Sequence, residues 1–198
     1  MIRTIRAELL KSFTTRMWWG LAIAVVATGL LFPGLTAFFL TSDAIAATPG
    51  APQVDDAALA RSVYTGGIQV AYLITLATGV MAIGSEYRHK TITSTFLATP
   101  HRARVMGAKV VALLGVGGFY GVLSIISSVA VGATVLSIKG HQPFSDSSIW
   151  RTLALSLLVL GLWALIGLGV GILIPNQVAA LLIAIGVAWI VEDRKSVV

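Results

Sequence analysis

The sequence predicts an all-α, polytopic membrane helix bundle, and its composition is the first reason. Of 198 residues, 57% are hydrophobic and 11% are charged, whereas a soluble domain has about a quarter of its residues charged. The second reason is that the apolar residues form long uninterrupted runs. The alternating ten-residue strands of a membrane barrel are absent, and an open sheet cannot satisfy its backbone hydrogen bonds in lipid.

Five apolar runs define the predicted spans. Four are long enough to cross a hydrocarbon core of about 30 Å, which requires about 20 helical residues. These four are residues 17–40, 63–84, 110–138 and 152–174. The fifth run, 178–191, would extend only about 21 Å as a helix, so we interpret it as an incomplete span.

The segment 1–16 is predicted to be an interfacial helix. One helical face carries Ile2, Ile5, Leu9 and Phe13, and most of the basic residues lie elsewhere on the helix. The alternative is a secretory signal peptide cleaved after 44–46. The apolar run that follows is longer than the 7–15 residues of a signal peptide, which favours a first span.

The Lys and Arg residues predict the orientation. If the chain starts on one side of the membrane, that side receives Arg3, Arg6, Lys11, Arg16, Arg88, Lys90, Arg102, Arg104 and Lys109, and the other side only Arg61, Lys139 and Arg151. The positive-inside rule then places the N-terminus and the loop 85–109 in the cytoplasm and the loop 41–62 outside. The outer loop is expected to end in a short helix that starts near Asp55.

This orientation can be tested by cysteine labelling, because the native chain has no cysteine. We expect a cysteine introduced near Gln53 to react with a membrane-impermeant maleimide in intact cells and one introduced near Thr95 to react only after permeabilisation. The opposite pattern would reverse the predicted topology.

The segment 193–198, Asp-Arg-Lys-Ser-Val-Val, corresponds to the translation of a common sequencing-adapter sequence. It is therefore interpreted as a non-native tail, with residues 1–192 forming a single transmembrane domain. Together with the short fifth run, this tail predicts that the natural protein continues through the fifth span to a sixth.

The sequence also excludes several kinds of chemistry. No phosphate-binding Gly-x-x-x-x-Gly-Lys motif occurs, and His89, His101 and His141 lack metal-ligand spacing, so we expect neither an enzyme nor a metal site. No ionisable residue falls within the five runs, which argues against an ion-driven transporter. Basic residues lie between apolar runs rather than on a compact face, which argues against nucleic acid as a partner.

Some polar and small residues within the runs have two possible roles. Gln69 and the nearby Tyr72 could line a substrate path or bridge neighbouring helices. The glycine pairs 117/121 and 167/171 are spaced four apart, which favours close packing within the chain over a dimer interface.

The cytoplasmic loop 85–109 is the most informative segment. It carries Glu86, Arg88, Thr91, Ile92, Phe96, Leu97, Pro100 and Arg102, with Lys109 opening the next run. A short helix here would present Ile92, Phe96 and Leu97 as an apolar knob surrounded by charge. Such a knob could enter the cleft of a soluble partner or lie on the membrane surface.

This ordered set of residues resembles the first cytoplasmic loop of permease subunits of bacterial type-2 ATP-binding-cassette (ABC) transporters. Residues 6–16, followed by the Trp18–Trp19 pair, are similar to the connecting helix of that family. The resemblance covers about residues 1–192. This chain departs from the family at Lys90, where members commonly have glycine.

The resemblance implies a six-span permease in the bacterial cell membrane that pairs with a second permease subunit and with cytoplasmic ABC ATPase subunits. The eight loop residues from Glu86 to Arg102 would couple ATP hydrolysis to export of a lipid, drug or other hydrophobic substrate. No cofactor is expected in this chain, since ATP and Mg²⁺ would bind the ATPase. The alternative is a membrane accessory or sensor protein that transports nothing.

Overall fold

The computed structural model describes residues 2–42, 55–91 and 102–195. Within these ranges the chain forms seven principal helices and no strand. They are α1 (Ile2–Thr14), α2 (Met17–Leu40), α3 (Asp56–Thr65), α4 (Ile68–Arg88), α5 (Arg102–Ile138), α6 (Ser148–Leu173) and α7 (Gln177–Lys195). Four helical segments are long and apolar enough to cross a membrane. This confirms a helical, membrane-embedded class of protein.

The helices extend beyond the apolar runs from which they were predicted. Helix α4 continues through Arg88 and α5 begins at Arg102, so the predicted loop 85–109 is partly helical at both ends. Helix α7 continues to Lys195 and therefore includes the first half of the predicted tail. Its apolar part, Gln177–Val191, is shorter than the four candidate spans.

The second predicted span is not one continuous helix. A turn at Gly66 and Gly67 separates α3 from α4, and α3 accounts for the predicted short helix at the end of the outer loop. The Cα of Gly29 on α2 lies 3.1 Å from the position of a Cβ at Gly67. Pro33 lies inside α2 and cannot donate a hydrogen bond to the Gly29 carbonyl. The turn at Gly66 and Gly67 therefore lies against an irregular segment near the middle of α2.

Helices α4 and α6 approach each other closely through glycines. A Cβ at Gly79 would overlap the Ala164 carbonyl oxygen, and a Cβ at Gly167 would overlap the Leu76 carbonyl oxygen. Small residues allow this approach because they let helix backbones come together. Gly117 of α5 likewise meets the Cα of Gly161 on α6, so the predicted intrachain role of both glycine pairs is confirmed.

Contacts between distant residues define the two ends of the bundle. At one end, Gly84 near the end of α4 lies against Gln177 at the start of α7, and α1 packs on the first half of α5. At the other end, the Tyr64 hydroxyl donates to the Pro143 carbonyl. The first of these ends carries the nine Lys and Arg residues on which the predicted orientation depends, and we call it the basic end.

Candidate functional site

Four charged residues meet at the basic end of the bundle. Glu8 and Lys11 lie one turn apart on α1, Glu86 lies in the last turn of α4, and Lys109 lies about two turns into α5. Glu86 and Lys109 each lie just outside a predicted apolar run. Three helices therefore each contribute charge to one cluster, which we call the four-residue network.

The network is held by four contacts between lysine nitrogens and carboxylate oxygens. Lys109 Nζ lies 2.7 Å from Glu8 Oε2 and 2.9 Å from Glu86 Oε1. Lys11 Nζ lies 2.6 Å from the same Glu86 oxygen and 3.4 Å from Glu8 Oε1. Because each lysine touches both carboxylates, the two positive and two negative charges balance.

The charged side chains of this network are unusually buried for residues at the end of a helix bundle. The side chains of Lys109 and Glu86 are 2% and 4% exposed, whereas Lys11 is 47% exposed. A charge removed from water is stable only when it is paired and hydrogen-bonded. The arrangement thus fixes α1 against the ends of α4 and α5.

The environment of Lys11 favours its charged form. Partial burial by itself lowers the pKa of this lysine, but the hydrogen bond to Glu86 and the negative charges of both glutamates outweigh that effect and raise the pKa above its ordinary value of 10.5. Lys11 therefore remains a cation throughout the physiological pH range.

Beside the network lies a cavity of about 110 Å³. It opens between α1, α2, α4, α5 and the start of α7, and its wall includes Glu8, Lys11 and Gln177 together with Trp18 and Tyr120. The Tyr120 hydroxyl donates to the Trp18 carbonyl at 3.4 Å, and Phe13 stacks edge-on against Trp18 with ring centres 5.5 Å apart. The cavity is thus charged on one side and aromatic on the other.

The structure places the predicted coupling residues in different environments. Glu86 is buried in the network, whereas Arg88 is exposed at the end of α4. Thr91 is exposed, and Arg102 begins α5. The remaining predicted residues, Ile92, Phe96, Leu97 and Pro100, lie outside the described residues.

The two polar residues predicted within the second span also differ from each other. Gln69 is exposed on the first turn of α4, whereas Tyr72 is buried and its ring lies 4.8 Å from that of Trp163 on α6. Tyr72 therefore contacts a neighbouring helix through its ring.

Sequence reasoning missed Glu8, Lys11 and Lys109 as site residues. Glu8 and Lys11 did stand within the similarity to a connecting helix, and Lys109 within the loop pattern. The available signal was that Glu86 and Lys109 directly flank two long apolar runs. Their pairing could not be read from that position, because Lys109 and Glu8 are 101 residues apart in sequence.

Potential metal ligands are not clustered in the part of the chain that the structure describes. Across residues 2–42, 55–91 and 102–195, no cluster of three or more His, Cys, Asp or Glu side chains could hold a metal ion. His141 contacts Asp56 instead, with 2.8 Å between Nδ1 and Oδ1, at the end of the bundle opposite the network.

The fold and the site define a class of protein, an all-α membrane-embedded bundle with a buried ion-pair network at its basic end. No family model matches the chain, and neither a curated protein nor a solved structure matches it.

Proposed function

We propose that this chain is the transmembrane permease subunit of a bacterial ABC transporter, which exports a lipid, drug or other hydrophobic substrate. In this proposal its energy comes from ATP hydrolysis on a separate ATPase subunit, and a second permease subunit, identical or related, completes the pathway. The N-terminus and the loop between α4 and α5 face the cytoplasm, where the ATPase binds.

The observation that carries the proposal is the position of the four-residue network. Glu86 lies just before the loop between α4 and α5, and Lys109 lies just after it. Their side chains pair with each other at 2.9 Å and with α1. A load applied to the loop would therefore reach α1, α4 and α5 together, which is what a coupling element requires.

A second observation supports the resemblance on which the proposal depends. Lys90 has a φ of 55°, and positive φ values are uncommon for residues other than glycine. Family members commonly have glycine at this position. The turn after α4 thus has a backbone conformation that favours glycine, and in this chain a lysine adopts it.

The polar content of the spans is also compatible with a partner that supplies the energy. The network pairs its charges within the chain and lies at the end of the bundle, so it does not resemble an ion-binding site at the membrane midplane. The sequence carries no phosphate-binding motif of its own.

The decisive variant is Phe96→Ala in the protein assembled with its ATPase. If Phe96 is buried in a cleft of the ATPase, its loss should remove about 1.5–3 kcal/mol of binding energy. Complex formation or substrate-stimulated ATP hydrolysis should then fall about tenfold or more. Co-purification and stimulated hydrolysis are the measurements.

Arg102→Ala is the matched control, because a solvated rim charge contributes about 0–1 kcal/mol. We expect this variant to retain most of the coupling, and we expect both variants to insert into the membrane. If Phe96→Ala co-purified with the ATPase and stimulated hydrolysis as well as the unmodified protein, the loop would be a surface segment. The accessory-protein alternative would then be favoured.

A further inference from the structure

Two hollows on the surface of the bundle share one wall. The first is the charged and aromatic cavity beside the network, and the second is an apolar groove of about 520 Å³ between α2 and α5. Trp18 lines both. A cavity with charged side chains on one wall thus adjoins a wholly apolar groove at the point where the first predicted span begins.

The charged wall of the first cavity has the chemistry of a headgroup site. Lys11 Nζ contacts two carboxylates, so an ammonium with three donors retains one for a further acceptor. The Lys11 side chain is also about half exposed. Gln177 adds a side-chain amide to the same wall.

The groove has the dimensions and the surface of an acyl-chain site. Its lining contains no polar surface, and its residues on α2 extend from Trp18 to Leu30. Twelve residues at 1.5 Å per residue give a length of about 18 Å, which suits a long acyl chain. Phe119 of α5 lies on the opposite side of the groove.

The charge around this wall of the first cavity selects among headgroups. The four-residue network is neutral, so the net charge comes from its exposed neighbours. Arg16 stands between two cavity-lining residues, Thr15 and Met17, and is itself exposed. Residues 1–16 contain four basic residues and one acidic residue. A negatively charged headgroup therefore fits this end better than a zwitterionic one.

We propose that this surface binds one anionic phospholipid, with its phosphate at Lys11 and Arg16 and an acyl chain in the groove between α2 and α5. Trp18 separates the two parts at headgroup depth, where tryptophan is enriched in membrane proteins. This site goes beyond the proposed transport function and does not depend on an ATPase or on a transported substrate.

The test uses the full chain reconstituted in vesicles that contain lipids with brominated acyl chains, which quench nearby tryptophans. The Trp18 and Trp19 signal is obtained by subtracting the fluorescence of the Trp18→Phe/Trp19→Phe variant. We expect brominated phosphatidylglycerol, diluted into unbrominated phosphatidylcholine, to quench this signal at a lower mole fraction than brominated phosphatidylcholine diluted into phosphatidylglycerol.

Two pairs of variants assign the headgroup and the chain. Arg16→Gln should reduce the preference for phosphatidylglycerol about fivefold, the contribution of one basic residue at an anionic surface. Arg88→Gln removes an exposed charge at the same end and should leave the preference unchanged. Ala27→Phe, which fills the groove, should abolish it, whereas Ala154→Phe on the exposed face of α6 should not.

Three results would overturn the proposal. The first is equal quenching by the two lipids in the unmodified chain. The second is a preference that survives Ala27→Phe. The third is a Trp18 and Trp19 fluorescence signal that no brominated lipid quenches, together with cross-linking of two copies of the chain through Ile23→Cys. That result would assign the groove to a second protomer.

Discussion

Replacing Lys109 with methionine is expected to destabilise the bundle by about 3–5 kcal/mol, the range for removing one partner of a buried ion pair. Methionine preserves the apolar stem but leaves Glu8 and Glu86 sharing only Lys11, which is half exposed. The two carboxylates would then repel each other at a buried site. The free energy of unfolding in detergent micelles, measured by denaturant titration, checks this prediction.

Arg104→Met is the matched control for Lys109→Met. Arg104 lies on the same helix, five residues away, and is exposed, so its loss should change stability by less than about 0.5 kcal/mol. Glu86→Gln combined with Lys109→Met removes one charge of each sign. The double variant should be less destabilised than the sum of the two single variants, because the pair is coupled.

Equal stability of Lys109→Met and Arg104→Met would contradict the four-residue network. An additive double variant would mean that Glu86 and Lys109 do not interact. The same variants also bear on the proposed function. If that function is right, a variant that still folds without the Glu86–Lys109 pair should insert and bind the ATPase but fail to pass motion from the loop to the helices.

Gly167→Ala is expected to have the second-largest effect, a loss of about 1–3 kcal/mol typical of overpacking a tight core. The added Cβ would overlap the Leu76 carbonyl oxygen of α4, and backbone cannot move aside as a flexible side chain can. Helices α4 and α6 would have to separate. Thermal unfolding in detergent, followed by tryptophan fluorescence, measures the loss.

Gly169→Ala supplies the control on the same helix. Nothing lies within 4 Å of a Cβ at Gly169, and alanine is the better helix former by about 1 kcal/mol. This variant should be as stable as the unmodified chain or slightly more stable. If Gly167→Ala matched it, the close approach of α4 and α6 would be wrong.

The fold class and the positions of the main helices could be predicted from the sequence by itself. Hydrocarbon thickness sets the length of a span, and apolar content sets which segments enter lipid, so both are properties of consecutive residues. The runs 17–40, 110–138 and 152–174 accordingly fall within or almost entirely within α2, α5 and α6. The helix that ends the outer loop was also within reach, from its start near Asp55.

The interruption at Gly66 and Gly67 could not be predicted in the same way. Hydropathy is unbroken across the run 63–84, and a glycine pair is tolerated in membrane helices. The turn arises where α2 carries Gly29 and Pro33, and only the packed structure brings that segment beside the glycine pair.

The candidate site was decided by the tertiary structure. Glu8, Lys11, Glu86 and Lys109 are each ordinary charged residues at the edge of an apolar segment, and the sequence has 14 basic and eight acidic residues from which pairs could form. An ion pair forms only when the charged atoms come within about 4 Å of each other, so pairing depends on which helix ends are neighbours in space. Burial then makes Glu8, Glu86 and Lys109 depend on their partners, because little water reaches them to replace a lost contact.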